Sequence, residues 1–186
     1  ENLYNVYDIT LLSSGVMVNQ DGETSLLLEL ENRTEDMVYL STSDIALNGL
    51  VVSSSTWSST AINPGKRCII VVELSSVLAP EHWSIYGINE VGSVALSLNQ
   101  LDPNGNYIAE ERSIEIMVPG VDTGYDATGE EVYRNNGLRI VAKTILEDSS
   151  EYSSDMYVLM LAENTSGRTL TIDDTYDSLS VNGYMT

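Results

Sequence analysis

The sequence predicts an all-β protein built from antiparallel sandwiches, one complete and a second one incomplete. Three observations lead to this prediction. Short apolar runs alternate with polar residues along most of the chain, turns rich in Gly, Pro and Asn separate these runs, and one stretch of sequence occurs twice. A repeat at this spacing sets the architecture before any local pattern does.

The repeat joins a strand, a turn and a hairpin. The first copy has Leu-Leu-Glu-Leu-Glu-Asn at 27–32 and reaches Asn48-Gly49, and the second has Leu-Met-Leu-Ala-Glu-Asn at 159–164 and reaches Asn182-Gly183. The apolar pairs between these landmarks are spaced by two, which places each pair on one face of a strand. Asn-Gly between apolar runs predicts a two-residue hairpin, because both residues accept positive φ.

Each predicted strand of the first copy has an apolar face at alternate positions. Turns at 20–22, 63–65 and 102–106 separate these strands. The stretch Ser75–Ile88 fits the pattern poorly, and we expect a short helix or a cross-sheet loop there. The predicted faces are Tyr7, Ile9 and Leu11; Leu26, Leu28 and Leu30; Cys68, Ile70, Val72 and Leu74; Val94, Leu96 and Leu98; and Ile114, Ile116 and Val118.

The repeat also predicts the domain organisation. Residues 1–118 form the complete sandwich, residues 119–130 form a linker rich in Gly, Asp and Thr, and residues 131–186 form the N-terminal half of a second sandwich. Half a sandwich leaves an inner face and strand edges uncovered. We expect it to be completed by another chain in a strand-completing homo-oligomer, by a natural protein that continues further, or by packing onto the first domain.

The charge of the chain excludes several classes of function. The net charge is −20, and no basic stripe interrupts the acidic residues. Nucleic-acid binding is therefore not expected, and anionic membrane surfaces would repel the chain. No apolar run is long enough to span a membrane. The acidity is best interpreted as a source of solubility.

Three short segments carry a resemblance to a known family. They are Tyr-Arg-Asn-Asn-Gly-Leu-Arg-Ile at 133–140, Ala-Glu-Asn-Thr-Ser at 162–166 and Ser-Val-Asn-Gly-Tyr-Met at 180–185. These segments resemble the immunoglobulin-like repeats of uncharacterised surface or lipid-anchored proteins of Firmicutes. The resemblance implies tandem immunoglobulin-like sandwiches, the second incomplete, located outside the cytoplasm at the cell surface or on a lipid anchor. It supplies no catalytic residues.

Calcium is the metal that the sequence suits best, because hard oxygen ligands are abundant. A candidate calcium loop has oxygen-bearing side chains at alternate spacing: Asp102, Asn104, Asn106 and Glu110. Its glycine lies at the fourth position, where a calcium loop has it at the sixth, and Ser113 occupies the twelfth position without an acid. A plain hairpin turn is the favoured alternative. A second acidic cluster, also interpreted as a solvated loop, comprises Asp173, Asp174 and Asp177.

Two further motifs have a structural and a functional interpretation. The sequons Asn32-Arg33-Thr34 and Asn164-Thr165-Ser166 occupy equivalent positions of the two copies. They match the N-glycosylation pattern, but Asn and Ser/Thr side chains also close turns by bonding local backbone. Trp57, Trp83 and the tyrosines offer a platform for stacking on carbohydrate or protein, although we expect one Trp to be buried.

Catalysis is not expected. His82 is the only histidine, so a Ser-His-Asp triad would depend on it, and no nucleophile elbow accompanies it. The leading prediction is a non-catalytic extracytoplasmic module of a bacterial cell-surface protein, used for adhesion, presentation or spacing. The alternative is a domain that binds glycan or calcium through its loops, and an enzyme ranks third. We expect an unknown protein or glycan as partner, and no cofactor apart from the calcium of that alternative.

Overall fold

The computed structural model describes residues 4–77, 80–109, 112–150, 153–170, 172, 180–181 and 184–185, with side chains other than those at 53–58, 80–81, 148–150, 153–155, 180–181 and 184–185. The protein is all-β with antiparallel sheets, as predicted. The chain divides into two compact units, Glu1–Asp126 and Ala127–Thr186.

The first unit contains two four-stranded sheets. One has the strand order β1-β2-β3-β6 and the other has the order β5-β4-β7-β8. Two short helices, α1 (Leu74–Val77) and α2 (Pro80–Ile85), lie in the stretch where a helix or a loop was expected. The strands are β1 (Asn5–Val6), β2 (Ile9–Val18), β3 (Thr24–Asn32), β4 (Val38–Leu47), β5 (Leu50–Ile62), β6 (Arg67–Glu73), β7 (Ser93–Leu101) and β8 (Arg112–Met117).

Alternate residues of these strands form the core. Leu26, Leu28 and Leu30 of β3 are each 0% exposed. The predicted faces of β2, β6, β7 and β8 are likewise buried at Ile9, Leu11, Ile70, Val72, Val94, Leu96, Leu98, Ile114 and Ile116. Leu74, the first residue of α1, is buried as well, whereas Cys68 and Val118 of the predicted faces are only half-buried. Burying one such side chain contributes about 1.5–3 kcal/mol relative to leaving it in water. This arrangement fits a β-sandwich.

The prediction that Tyr7 lies on the buried face was wrong. Strand β2 begins at Ile9, and Tyr7 is 67% exposed. Tyr7 and Asp8 have φ values of 45° and 58°, which makes them the two central residues of the turn between β1 and β2. The period-two pattern missed this turn because Tyr7 continues the apolar alternation, although an aromatic residue rarely adopts positive φ.

The Asn-Gly hairpins are confirmed where the structure describes them. Asn48-Gly49 joins β4 to β5 with φ values of 49° and 83°, and Asn136-Gly137 has values of 49° and 82°. Both pairs suit the type I′ turn, whose two central residues have positive φ. Asn182-Gly183 lies outside the described residues.

The second unit contains a three-stranded sheet with the order β11-β10-β9 and a two-stranded hairpin. In this sheet Leu138 pairs with Asn164, just as Ile9 pairs with Asn32 in the first unit. The first strand of each pair carries an irregularity in register, after Leu11 in one unit and after Ala142 in the other. The strands are β9 (Glu130–Asn135), β10 (Leu138–Ser150), β11 (Ser153–Asn164), β12 (Ser180–Val181) and β13 (Tyr184–Met185).

One face of the three-stranded sheet is covered by the segment 127–129. Val141 is 0% exposed, and a Cβ added at Gly129 would lie 2.5 Å from the Cγ1 atom of Val141. Lys143 Nζ donates to the carbonyl oxygen of Thr128 at 2.6 Å. The close approach of backbone to Val141 therefore depends on the missing side chain of Gly129.

The opposite face of that sheet, here called the open face, is about half exposed at Val158 and Met160, although its counterpart in the first unit is core. Val158 and Met160 occupy the positions that Leu26 and Leu28 occupy in the first copy, 132 residues earlier (158 − 26 = 132). Their exposed fractions are 51% and 52%, against 0% for the two leucines. The repeat is thus preserved in strand order and register but not in burial.

Candidate functional site

Asn32 closes the turn that follows β3. Its Oδ1 atom accepts hydrogen bonds from the backbone N–H of Thr34 (2.9 Å) and from Thr34 Oγ1 (2.7 Å). Its Nδ2 atom donates to the carbonyl oxygens of Asp36 (2.8 Å) and Ile62 (2.9 Å). The side chain is 0% exposed, so the amide that a glycan would need is already used by the fold. The structure therefore gives the first sequon a turn role.

The second sequon repeats this network. Asn164 Oδ1 accepts from the Ser166 backbone N–H (3.0 Å) and from Ser166 Oγ (2.6 Å), and Asn164 Nδ2 donates to the Arg168 carbonyl oxygen (2.6 Å). The hydroxyl oxygens of Thr34 and Ser166 also lie within hydrogen-bond distance of the same carbonyl oxygen, at Asp36 (2.8 Å) and Arg168 (3.2 Å) respectively, so each single hydroxyl proton has two acceptors within reach. The network uses only the backbone of residues 36 and 168, so it does not require an acid or a base at that position.

The turn between β1 and β2 lies next to the Asn32 turn. The backbone N–H of Arg33 donates to the Asp8 carbonyl oxygen at 2.9 Å, and Thr165 makes the same contact with Gly137 at 2.7 Å in the second unit. Tyr7-Asp8 of the first unit thus corresponds to Asn136-Gly137 of the second. Asn-Gly is the favoured pair for two positive φ values, whereas an aromatic residue such as Tyr7 is strained in that region.

The candidate calcium loop contains a hairpin turn. Asp102 Oδ1 accepts from the backbone N–H groups of Asn104 (2.8 Å) and Asn106 (2.9 Å), and Asp102 Oδ2 accepts from Asn106 Nδ2 (2.9 Å). These bonds, chiefly that from the Asn106 side chain, hold the pKa of the Asp102 carboxyl below its ordinary value. Glu110 lies outside the described residues. In the part of the chain that the structure describes, no three His, Cys, Asp or Glu side chains are grouped to hold a metal ion. Calcium binding stays a prediction.

The three turns together surround a pocket of about 420 Å³ in the first unit. Its volume lies within the range of small-ligand sites. One part of the lining is apolar and another carries carboxylates. The lining residues are Tyr7, Asp8, Thr34, Asp36, Met37, Val38, Asp102, Pro103 and Ile108. The structure therefore brings Asp102 of the predicted loop together with Tyr7, with Thr34 of the first sequon, and with Asp8 and Asp36, which belong to no predicted site.

Asp8 and Asp36 are the two carboxylates that line the pocket beside Asp102. Arg33, three residues before Asp36, pairs with Glu31 at 2.6 Å. Across the described ranges, no ion pair involves Asp8 or Asp36. The pocket thus combines an apolar wall with two carboxylates that form no ion pair within the described part of the chain. A comparison of the two copies could have indicated these residues, because Asp8 and Asp36 correspond to Gly137 and Arg168.

The other candidate residues do not join this pocket. Trp83 of α2 is 6% exposed, which confirms the expectation of one buried tryptophan. The side chain of Trp57 and the acidic cluster Asp173, Asp174 and Asp177 lie outside the described residues. His82 is half-buried in α2. Cys68 is a free, half-buried cysteine, and burial raises the pKa of its thiol.

Comparison with known protein families found no family model that matches the chain. Comparison with curated proteins found no similar sequence. Among solved structures, the chain is similar to the crystal structure of a protein from Archaeoglobus fulgidus, with 14% identity, 63% of this chain and 100% of that chain covered, and a TM-score of 0.33. A likeness at that TM-score carries no argument about fold or function.

Proposed function

We propose that the chain is a non-catalytic, extracytoplasmic module of a bacterial cell-surface protein, with tandem immunoglobulin-like sandwiches of which the second is incomplete. The strand order of the first unit is the observation that carries this proposal. With the two-residue β1 set aside, seven strands remain, β2 to β8. Of these, β2, β3 and β6 (the first, second and fifth) share one sheet, and β4, β5, β7 and β8 share the other. Seven-stranded immunoglobulin-like sandwiches place the first, second, fourth and fifth strands in one sheet and the other three in the second. This chain matches that pattern except for its fourth strand, which lies in the second sheet.

The second unit supports the tandem arrangement. Its three strands follow the order, the register and the turn network of β1, β2 and β3. The extracytoplasmic location rests on the resemblance to surface proteins of Firmicutes. No helix among the described residues is long and apolar enough to cross a membrane.

Adhesion and presentation require a binding surface, whereas spacing does not. The pocket between the turns supports the first two roles, because loops held by a rigid scaffold are where binding residues concentrate. The direct test is to measure binding of the purified chain to glycan and peptide arrays, together with turnover of a panel of hydrolase substrates. Binding without turnover supports the proposal. Turnover that is lost in His82→Ala would overturn its non-catalytic part.

A domain that binds glycan or calcium is the second candidate. The position of Asp102 and Tyr7 in one pocket favours it, because carboxylates and aromatic rings serve both ligand classes. Calcium at a concentration of about 100 times its Kd would stabilise the first unit by about 2.7 kcal/mol. A rise in Tm with millimolar calcium that Asp102→Asn abolishes would support this candidate, and no rise would remove its calcium part.

We further propose that another copy of this chain covers the open face of the second unit in a strand-completing homo-oligomer. The support is the contrast between Val158 and Met160, about half exposed, and their buried counterparts Leu26 and Leu28. An exposed apolar sheet face of this kind marks an interaction site. Light scattering on the chain decides between a multiple of 20.4 kDa and the monomer.

A further inference from the structure

We propose that the pocket of the first unit binds a lysine or arginine side chain of a basic partner segment. The charged end would lie against the carboxylates of Asp8 and Asp36, and the aliphatic stem would lie on the apolar wall. The inference rests on the proposed adhesion or presentation role, and it names the chemistry of the partner.

The fold does not require an acid at position 36. The Asn32 turn uses the carbonyl oxygen of Asp36, and its side chain takes no part in the network. The second unit builds the same turn around Arg168. The turn itself therefore does not explain why an acid lines the pocket at position 36.

The β1–β2 turn also supplies groups that suit a cation. Tyr7 and Asp8 both adopt positive φ, while the second unit uses Asn136 and Gly137 at the corresponding positions. The first unit thus keeps an aromatic ring and a carboxylate where Asn-Gly would be less strained. Both residues line the pocket, so this turn places two groups there that suit a cation.

The apolar and acidic parts of the lining match the stem and the charged head of a lysine or arginine side chain. Lysine and arginine lay their methylene stems along apolar surface and keep the charged head among polar groups. Met37, Pro103 and Ile108 supply such a surface. Tyr7 offers a ring face to the cation. The Asp102 oxygens already accept three bonds from their own loop, so Asp8 and Asp36 remain as acceptors for a donor on the ligand.

Simple attraction of any cation to a chain of net charge −20 must be separated from binding in the pocket. Position 35 provides the control. Glu35 is exposed, adjoins Asp36 and does not line the pocket. Glu35→Arg and Asp36→Arg change the net charge equally, and Asp36→Arg installs the residue that the second unit has at this position.

The experiment uses the full chain and a fluorescein-labelled hexapeptide of alternating Lys and Leu, with a Glu-Leu hexapeptide as the reference probe. Anisotropy titrations at near-physiological salt give the Kd. We expect Asp36→Arg to weaken binding at least about tenfold, the loss associated with a hydrogen bond to a charged group. Glu35→Arg should change it no more than about threefold, because an exposed charge outside the pocket is screened. Equal weakening by both variants would overturn the proposal in favour of non-specific attraction.

The double variant Tyr7→Asn with Asp8→Gly separates binding from folding. It installs the pair found in the second unit, so we expect an unchanged or higher Tm together with loss of peptide binding. Retained binding in this variant would overturn the proposal. If the wild-type chain fails to bind the Lys-Leu peptide, this inference is wrong. That result would not contradict the proposed function, because the spacer role needs no ligand and the arrays test other glycan and peptide ligands.

Discussion

Asn32 and Asn164 close the same turn with the same set of hydrogen bonds, 132 residues apart in the chain (164 − 32 = 132). They differ in their surroundings. Asn32 is 0% exposed and also donates to Ile62 of β5, whereas Asn164 is exposed and lacks a described counterpart of that bond. The two residues form a natural pair in which the local turn is constant and the tertiary contact varies.

This pair predicts unequal effects of one substitution. Asn32→Ala should lower the free energy of unfolding of the first unit by about 2–3 kcal/mol, because buried carbonyl groups lose their donor. Asn164→Ala should cost the second unit about 1 kcal/mol or less, since water replaces its bonds. Both tryptophans lie in the first unit, so urea unfolding followed by Trp fluorescence reports the first variant. Hydrogen exchange of β10 and β11 reports the second. Equal losses would contradict the assigned tertiary role of Asn32.

Asn48 combines a hairpin turn with a buried polar contact. Its Oδ1 atom accepts from the backbone N–H groups of Gly92 (2.8 Å) and Ser93 (3.0 Å), and its φ is 49°. Asn48→Gly removes the contact but suits the φ, and should cost about 1–3 kcal/mol. Asn48→Ala adds strain of about 1–2 kcal/mol to that loss. Urea titrations of both variants test this order, and an Ala variant as stable as the Gly variant would contradict it.

The acid stability of the second unit depends on Glu131. Hydrogen bonds from Arg134 and then Arg139 lower the pKa of Glu131 from 4.5 to about 2. Because the folded pKa is depressed, the stabilisation is fully present above pH 4.5 and is lost as the pH falls toward 2. We expect a carboxyl titration by NMR to have its midpoint near pH 2. Arg134→Gln should move that midpoint up toward 4.5, whereas Arg33→Gln, in the first unit, should leave it unchanged.

The open face of the second unit predicts a mass in solution. If another copy covers it, the wild-type chain should elute as a dimer of 20.4-kDa chains, and Val158→Asp should convert it to a monomer because a charge cannot be buried unpaired. Val71 of β6 provides the matched control, since it is also 51% exposed. Val71→Asp should leave the mass unchanged. A monomeric wild-type chain, or equal effects of both variants, would remove the homo-oligomer proposal.

Much of the fold could be predicted because its signals are local. The alternation around Leu26, Leu28 and Leu30 predicts a half-buried strand, and Asn48-Gly49 predicts its hairpin from two residues alone. Tyr7 shows the limit of this method. Its apolar ring continues the alternation toward Ile9, but the backbone turns there at positive φ. A periodicity cannot detect a strained turn formed by residues that rarely adopt one.

The candidate site could be predicted only in part. The spacing of Asp102, Asn104 and Asn106 predicted a calcium loop, yet in the structure these residues form a hydrogen-bonded turn. The partners of Asp102 in the pocket, Asp8 and Asp36, carry no motif. They become candidates only when the second unit shows Gly137 and Arg168 in the same turns.

The sequence by itself determined the antiparallel strands, the hairpin turns and the existence of two copies, because backbone preferences are decided within a few neighbouring residues. The tertiary structure decided which strands share a sheet and which side chains meet. Three turns separated by up to about a hundred residues enclose one pocket because β2, β3 and β7 take their places in two sheets. It also decided that equivalent faces of the two units differ in burial, since Leu28 is 0% exposed and Met160 is 52% exposed. Burial depends on what packs against a face, and the residues of the strand alone do not specify it.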